Sequence, residues 1–232
     1  MYTPEILREN AARIRKLDVD NQPAVFDRNV WSKHIPDIDK ILEGIKGDTI
    51  TRHAIFRIFP NDPTELVPCT LGRQAELRRF FIMVMVWGYG RVGAGPWRVG
   101  KMLASPGFAR TLCQASEECF HGLFLKAYET LVGNINQLGP AFASKYLYFF
   151  CHNFKAPVRP LIFDSVVVKT MRTFDWAKWC VHYHALKNST PRKQSFAYGQ
   201  YLILVHNWAG VLGCRADQIE YFLWTKGMGI RV

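Results

Sequence analysis

Lys145 and Asp164 are the two residues whose types and surroundings best suit catalysis. Lys145 lies in a segment predicted to be helical, beside the apolar face of Phe142, Tyr146 and Phe149. Apolar neighbours favour a neutral amine over an ammonium, and the neutral amine is a nucleophile. Asp164 comes nineteen residues later, between a short apolar run and Ser-Val-Val-Val. There its carboxylate is placed to cap the helix that follows.

Each of the two residues also has an ordinary structural explanation. A lysine beside an apolar face usually extends its ammonium into water. An aspartate in front of a helix is commonly no more than a cap. What favours catalysis is their combination with the hairpin and the positive charge described next.

A helical hairpin is predicted to carry Lys145. A short helix leads into Leu138-Gly139-Pro140, and a second helix follows over residues 141–152. A glycine turn at a helix start presents backbone N–H groups that suit a DNA phosphate. We therefore expect phosphate contacts from the backbone of Leu138, Gly139 and Ala141.

The positive charge is concentrated around these residues. The chain of 232 residues has 30 Lys or Arg against 19 Asp or Glu, and residues 131–216 hold ten basic residues against two acidic ones. Such an excess favours a polyanionic partner, although a merely soluble basic protein fits the charge alone equally well. Arg159, Lys169 and Arg172 are the candidates for contacts with DNA phosphates.

The elements that must position these residues are helical almost throughout, which predicts an all-α fold. Residues 1–70 are expected to be a helical and irregular region that completes the fold, and residues 71–232 the core, with its catalytic stretch at 135–171. Only the segment around 50–60 alternates enough to allow a minor β element. Residues 18–35 are predicted to form a loop. Further helices are expected at 3–17, 36–45, 72–88, 96–103, 106–113, 116–132, 165–173, 175–187, 192–211 and 215–225.

The stretch WGYGRVGAGPWRVGK, residues 87–101, contains two overlapping phosphate-loop patterns. Both patterns require a strand that enters the glycine turn within a parallel sheet, and no partner strands are predicted. Met102 also replaces the hydroxyl residue of the second pattern. A nucleotide-dependent enzyme using residues 88–102 is therefore the weakest hypothesis, and we expect no cofactor.

These segments resemble the catalytic core of the helix-hairpin-helix (HhH-GPD) DNA glycosylases, in the 8-oxoguanine branch. FASKYLYF, residues 142–149, resembles the lysine helix of archaeal-type members. LIFDSVVVK, residues 161–169, resembles the family's segment in which an Asp follows an apolar residue and a Val stands three positions after the Asp. WGYGRVGAGPWRVGKML resembles a segment of bacterial relatives. The resemblance covers residues 75–225. The usual hairpin is Leu-Pro-Gly-[Ile/Val]-Gly, of which only Gly139 is kept here.

The resemblance implies two helical subdomains around a central cleft, with Lys145 and Asp164 flanking the scissile N-glycosidic bond. It also implies that an acid and a tryptophan one turn apart, here Glu220 and Trp224, hold the extruded base. Trp87 is a candidate second stacking wall, for which core packing is the stronger alternative.

The implied function is excision of a modified base from DNA, with or without β-lyase activity. The substrate is oxidised guanine or a hypermodified base in foreign (phage) DNA, which would make the protein a repair or a defence enzyme. The alternative is a non-catalytic helical nucleic-acid-binding protein. We expect a cytoplasmic monomer, nucleoid-associated in a prokaryote, without a metal, a membrane segment or a protein partner; the six cysteines lack C-x-x-C pairs.

Overall fold

The computed structural model of the protein describes residues 3–58, 70–91, 93–152, 158–173 and 189–230. The prediction of an all-α fold is confirmed, with one small two-stranded sheet. None of the helices in these ranges has the length and apolar character needed to cross a membrane. The helix expected at 175–187 lies outside the described residues.

The first described segment holds short elements. Five helices occur there: α1 (Glu5–Glu9), α2 (Ala11–Ile14), α3 (Arg28–Ser32), α4 (Ile38–Ile41) and α5 (Arg52–Phe56). Strands β1 (Pro23–Val25) and β2 (Thr49–Thr51) pair antiparallel, with Ala24 opposite Ile50.

Longer helices form the rest of the described chain. They are α6 (Leu71–Tyr89), α7 (Gly95–Leu103), α8 (Phe108–Phe120), α9 (Phe124–Asn134), α10 (Pro140–Phe150), α11 (Ser165–Met171), α12 (Pro191–Leu212) and α13 (Ala216–Gly227).

Helix α6 runs through the centre of the protein. Its residues Phe80 to Trp87 are all buried, which is typical of a helix that is apolar on every side. It packs against α8 and α10, and α9 packs against α8, α10 and α12. The central helix thereby fixes the position of the hairpin formed by α9 and α10.

Several predicted boundaries are wrong. Residues 18–35 contain β1 and α3 instead of a loop, and the first predicted helix is broken at Asn10. The predicted helices 106–113 and 116–132 are in fact α8 and α9, divided at Gly122. Gly122 has φ +73°, a left-handed conformation that ends α8 without the steric cost that a side chain would add.

The amino-terminal segment packs directly on the carboxyl-terminal helices. Arg15 Nε donates to the carbonyl of Leu212 at 2.9 Å, and Gln218 Nε2 donates to the carbonyls of Arg15 and Leu17 at 2.8 and 3.1 Å. Buried apolar residues from Leu7 to Leu223 belong to one hydrophobic cluster. Residues of the amino-terminal segment can therefore contribute to a site built on the later helices.

Candidate active site

The structure brings Lys145 and Asp164 together. Lys145 Nζ lies 3.2 Å from Asp164 Oδ2, and both side chains are largely buried, 8% and 13% exposed. Lys145 comes from the middle of α10 and Asp164 from the residue before α11. Two groups far apart in sequence thus form one amine–carboxylate pair.

Asp164 is held by the helix that it caps. Its Oδ1 accepts hydrogen bonds from the backbone N–H groups of Val166 and Val167, both at 3.0 Å. Oδ2 is the oxygen that faces Lys145. Capping orients the carboxylate, and one oxygen remains directed at the amine.

The loop before Asp164 is anchored by three hydroxyl groups. Ser144 Oγ, next to Lys145 on α10, accepts from Phe163 N at 2.9 Å. Tyr198 and Tyr201, both on α12, donate to the carbonyls of Leu161 and Ile162 at 2.8 Å. Sequence reasoning missed all three residues, because hydroxyl groups on separate helices carry no shared motif.

The first glycine of the overlapping patterns lies against the lysine. Gly88 is inside α6 and follows no strand, so the geometry of a phosphate loop is not met. A Cβ at Gly88 would lie 2.9 Å from both Lys145 Cδ and Phe142 Cε1. The ring of Phe142 stacks on Tyr89 with centroids 3.9 Å apart, and Lys145 Nζ lies 5.2 Å from the Phe142 centroid. The glycine therefore lets α6 approach the lysine closely.

Glu220 is buried and paired with Arg52. Arg52 Nη1 and Nη2 donate to the two carboxylate oxygens of Glu220 at 3.0 and 3.4 Å, and Arg52 Nε donates to Gln22 Oε1 at 2.7 Å. Both charged side chains are 1% exposed. The structure thus gives the acid predicted to bind a base an internal partner, Arg52, which sequence reasoning missed.

Aromatic rings surround the Arg52 guanidinium. Its central carbon lies 5.1 Å from the ring of Trp87, 4.9 Å from Tyr148 and 5.7 Å from Tyr221. Trp87 also donates its indole N–H to the carbonyl of Gln22 at 3.3 Å. We call Gln22, Trp87, Tyr148, Glu220 and Tyr221 the aromatic cage.

Trp224 lies beside the aromatic cage. It is partly exposed and stacks on Tyr221, with ring centroids 6.0 Å apart. Trp87 is almost fully buried and contacts Phe149 edge-on, as core packing predicts.

The aromatic cage adjoins the amine–carboxylate pair. Tyr148 follows Lys145 by three residues on α10, which places the two side chains on neighbouring positions of one helix face. Burial raises the pKa of Glu220 to about 7, the Arg52 charge opposes this, and the Asp164 carboxylate adds to it.

The predicted phosphate contacts divide into two groups. Gly139 caps the start of α10 and Leu138 is buried beneath the turn, with Ala141 in the first turn of the helix. Arg159 lies elsewhere: it donates to the carbonyl of His152, beyond the opposite end of α10, where it lines a cavity of about 300 Å³. Lys169 and Arg172 are exposed on and just after α11.

No group of three or more His, Cys, Asp or Glu is arranged to hold a metal ion within the described ranges. The donors gathered at the site are one amine, two carboxylates and a guanidinium. This arrangement suits nucleophilic attack by the amine, with the neighbouring carboxylate as proton acceptor.

Comparison with protein families identifies the chain. Residues 17–224 match the model of the family described as "Putative 8-oxoguanine DNA glycosylase OGG-like protein". The chain belongs to this family. The match includes Lys145, Asp164 and the whole aromatic cage, so it covers the site as well as the fold. No curated protein and no solved structure matches the chain.

Proposed function

We propose that this member of the OGG-like family is a DNA glycosylase that extrudes a modified base and breaks its N-glycosidic bond. The observation that carries the proposal is the 3.2 Å contact between Lys145 Nζ and Asp164 Oδ2. A buried primary amine with a carboxylate at hydrogen-bond distance is the arrangement that imine-forming attack on a sugar requires.

In the proposed reaction, Asp164 accepts a proton from the Lys145 ammonium, and the neutral amine attacks C1′ of the deoxyribose. The C1′–N bond breaks, and the base leaves with the electron pair of that bond and takes up a proton. The proton that Asp164 accepted passes to the leaving base, and the carboxylate, ionised again, stabilises the positive charge that develops on the sugar.

The site is compatible with two outcomes. The amine bound to C1′ opens the sugar ring to a protonated imine, and loss of a proton from C2′ then expels the 3′ phosphate, which is the β-lyase step. In a monofunctional reaction, Asp164 instead directs a water molecule at C1′, and an abasic site is the only product.

The base itself is proposed to contact Glu220 and Trp224, with Trp87 as a second wall. A base must leave the duplex stack to be reached, and aromatic surfaces compensate part of the stacking energy that is lost. Oxidised guanine is the substrate that we propose. A hypermodified base in foreign (phage) DNA is the alternative, and it would make the enzyme part of phage defence instead of repair.

The backbone at Leu138, Gly139 and Ala141, together with exposed Lys169 and Arg172, is proposed to contact phosphates of double-stranded DNA. Arg159 stays a weaker candidate because it lies beyond the other end of α10. Each lysine or arginine that contacts a phosphate steepens the loss of affinity with salt, so its removal reduces the slope by about 1.

Mass spectrometry of bases released from DNA tests the proposed function. The protein is incubated with several genomic DNAs, including viral DNA, and with duplexes that each carry one modified base. We expect release of one class of modified base by the wild type and none by Lys145→Gln. Salt-dependent DNA binding without any released base would instead establish the non-catalytic nucleic-acid-binding protein.

A further inference from the structure

We propose that Arg52 is a built-in occupant of the base pocket, which an extruded base must displace before it can be excised. The proposal rests on the proposed function, because it takes the aromatic cage as the place where Glu220 meets the base. What it adds is a residue that competes with the substrate and thereby determines which bases are accepted.

The contacts of Arg52 are those expected of a bound ligand. Its planar guanidinium lies among three aromatic rings, and its N–H groups are paired with the Glu220 carboxylate and the Gln22 amide oxygen. A flat group with N–H donors at its edge, held between rings and a carboxylate, has the same recognition pattern as a nucleobase. Arginine is the amino acid that most resembles one, since its guanidinium is both planar and rich in donors.

The chemical match is closest for guanine. The N1–H and N2–H groups of a guanine point in parallel from one edge, as Nη1 and Nη2 of Arg52 do toward the two oxygens of Glu220. Adenine has no such pair of parallel donors on that edge. A base that leaves Glu220 unpaired would bury an unsatisfied carboxylate, which is energetically costly.

The location of Arg52 allows such an exchange. It is the first residue of α5, a helix of only five residues, whereas the groups that it contacts lie on α6, α10, α13 and the segment before β1. The side chain thus enters the aromatic cage from a separate element. Its withdrawal would leave the walls of the aromatic cage in place on the longer helices.

Binding of free base analogues tests this inference. The probes are 9-methylguanine and 9-methyladenine, whose methyl group stands where the sugar is attached, and binding is followed by tryptophan fluorescence and calorimetry. Removal of an internal competitor strengthens apparent affinity by the reciprocal of the fraction of time that the pocket was open. We expect Arg52→Met to bind 9-methylguanine roughly tenfold tighter or more than the wild type, and 9-methyladenine no better.

Arg52→Lys is the second variant, because it keeps a positive charge beside Glu220 if Arg52→Met does not fold. It lacks the planar group, so we expect it to bind 9-methylguanine more tightly than the wild type does. Where Arg52→Met folds, Arg52→Lys should bind this probe less tightly than Arg52→Met. Arg78→Met is the matched control, since it removes an arginine from an exposed ion pair with Asp37. It should bind both probes as the wild type does.

Equal or weaker binding of 9-methylguanine by the folded Arg52 variants would overturn the proposal, because Arg52 would then be a fixed part of the site. The base-release assay separates this result from failure of the proposed function. Base release by the wild type without tighter binding by the variants rejects only the role of Arg52. Tighter binding of 9-methylguanine by the Arg52 variants, without any base release by the wild type, supports Arg52 as the occupant of the base pocket and rejects the glycosylase activity.

Discussion

Two buried ion pairs of this protein are connected by α10, which carries Lys145 and the Tyr148 ring that contacts Arg52, and they differ in how completely their groups are satisfied. Arg52 and Glu220 contact each other through two donors and two acceptors, and Gln22 and three aromatic rings enclose the guanidinium. In the pair of Lys145 and Asp164, one ammonium meets one carboxylate oxygen.

The difference indicates that the two ion pairs have different functions. A forked, enclosed pair fixes geometry and recognises flat groups, whereas a single ammonium on a flexible stem can lose its proton and move toward a reacting carbon. The protein thus places a group suited to recognition beside a group suited to chemistry. The predictions that follow test whether this division holds.

The largest effect is expected for Asp164→Asn. The amide cannot accept the proton of Lys145 or stabilise positive charge on the sugar, so base excision should fall on the order of 10³-fold. Asparagine still caps a helix, but the largely buried Lys145 loses its carboxylate partner, so the free energy of unfolding should fall by about 1–3 kcal/mol. Excision kinetics on a modified duplex and urea denaturation measure the two quantities.

Asp27→Asn is the matched control, because Asp27 caps α3 in the same way, through Asn29 N and Val30 N, but has no ion pair with a lysine among the described residues. Its excision rate should equal that of the wild type. A folded Asp164→Asn protein with full activity would remove Asp164 from the mechanism.

Breaking the enclosed pair should strongly affect stability. Glu220→Gln leaves the Arg52 charge buried without a counterion, which costs roughly 3–5 kcal/mol of unfolding free energy. The exposed pair of Arg78 and Asp37 is the control, and Asp37→Asn should cost less than about 1 kcal/mol. Similar losses for the two variants in urea denaturation would show that burial does not distinguish these pairs.

Gly88→Ala should displace the lysine without unfolding the protein. The added Cβ would lie 2.9 Å from Lys145 Cδ and from the Phe142 ring, so one of these groups must move. A misplacement of about 1 Å can cost roughly 10²-fold in rate, which is the loss that we expect in excision.

Gly210→Ala, in α12, is the control for Gly88→Ala, since its Cβ meets no neighbour within 4 Å in the described part of the chain. It should leave excision unchanged and stabilise the protein by about 0.5–1 kcal/mol, because alanine favours a helix interior. Unchanged excision by a folded Gly88→Ala protein would show that the close approach of α6 does not position Lys145.

The smallest effect concerns His206, which lies outside both pairs. Burial and the Arg159 charge lower its pKa, whereas its hydrogen bond to the carbonyl of Arg159 and the charge of Asp217 oppose this. The unfolded chain therefore takes up a proton first as the pH falls below 6.5, and stability decreases in that range. His206→Gln should show a weaker decrease in thermal stability below pH 6.5 than the wild type. The raised pKa of Glu220 acts in the opposite sense but is common to both proteins. Parallel pH profiles of thermal stability for the wild type and His206→Gln would contradict the lowered pKa of His206.

The helices were predictable where one local pattern determines them. Apolar residues spaced for one helix face predicted α6, the Leu-Gly-Pro turn predicted α10, and the aspartate in front of Ser-Val-Val-Val predicted α11. Boundaries failed where a single residue decides them, as at Gly122, because a glycine inside a helical pattern does not reveal whether it ends the helix.

The site was predictable only in part, for a physical reason. Lys145 and Asp164 stand out because each lies in a distinctive local context. Arg52 lies in the segment ITRHAIFRIF, which resembles an ordinary strand or helix, and its importance comes entirely from residues on other elements. Long-range partners of this kind have no local sequence signal.

Covalent trapping tests the central claim most directly. Sodium borohydride reduces an imine between lysine and deoxyribose to a stable bond, which appears as a protein–DNA band in denaturing electrophoresis. With a duplex that carries the base released in the mass-spectrometric assay, we expect the wild type and Asp27→Asn to be trapped and Lys145→Gln to give no band. Base release by the wild type without any trapped complex, or an undiminished band with Lys145→Gln, would contradict the assignment of Lys145 as the nucleophile.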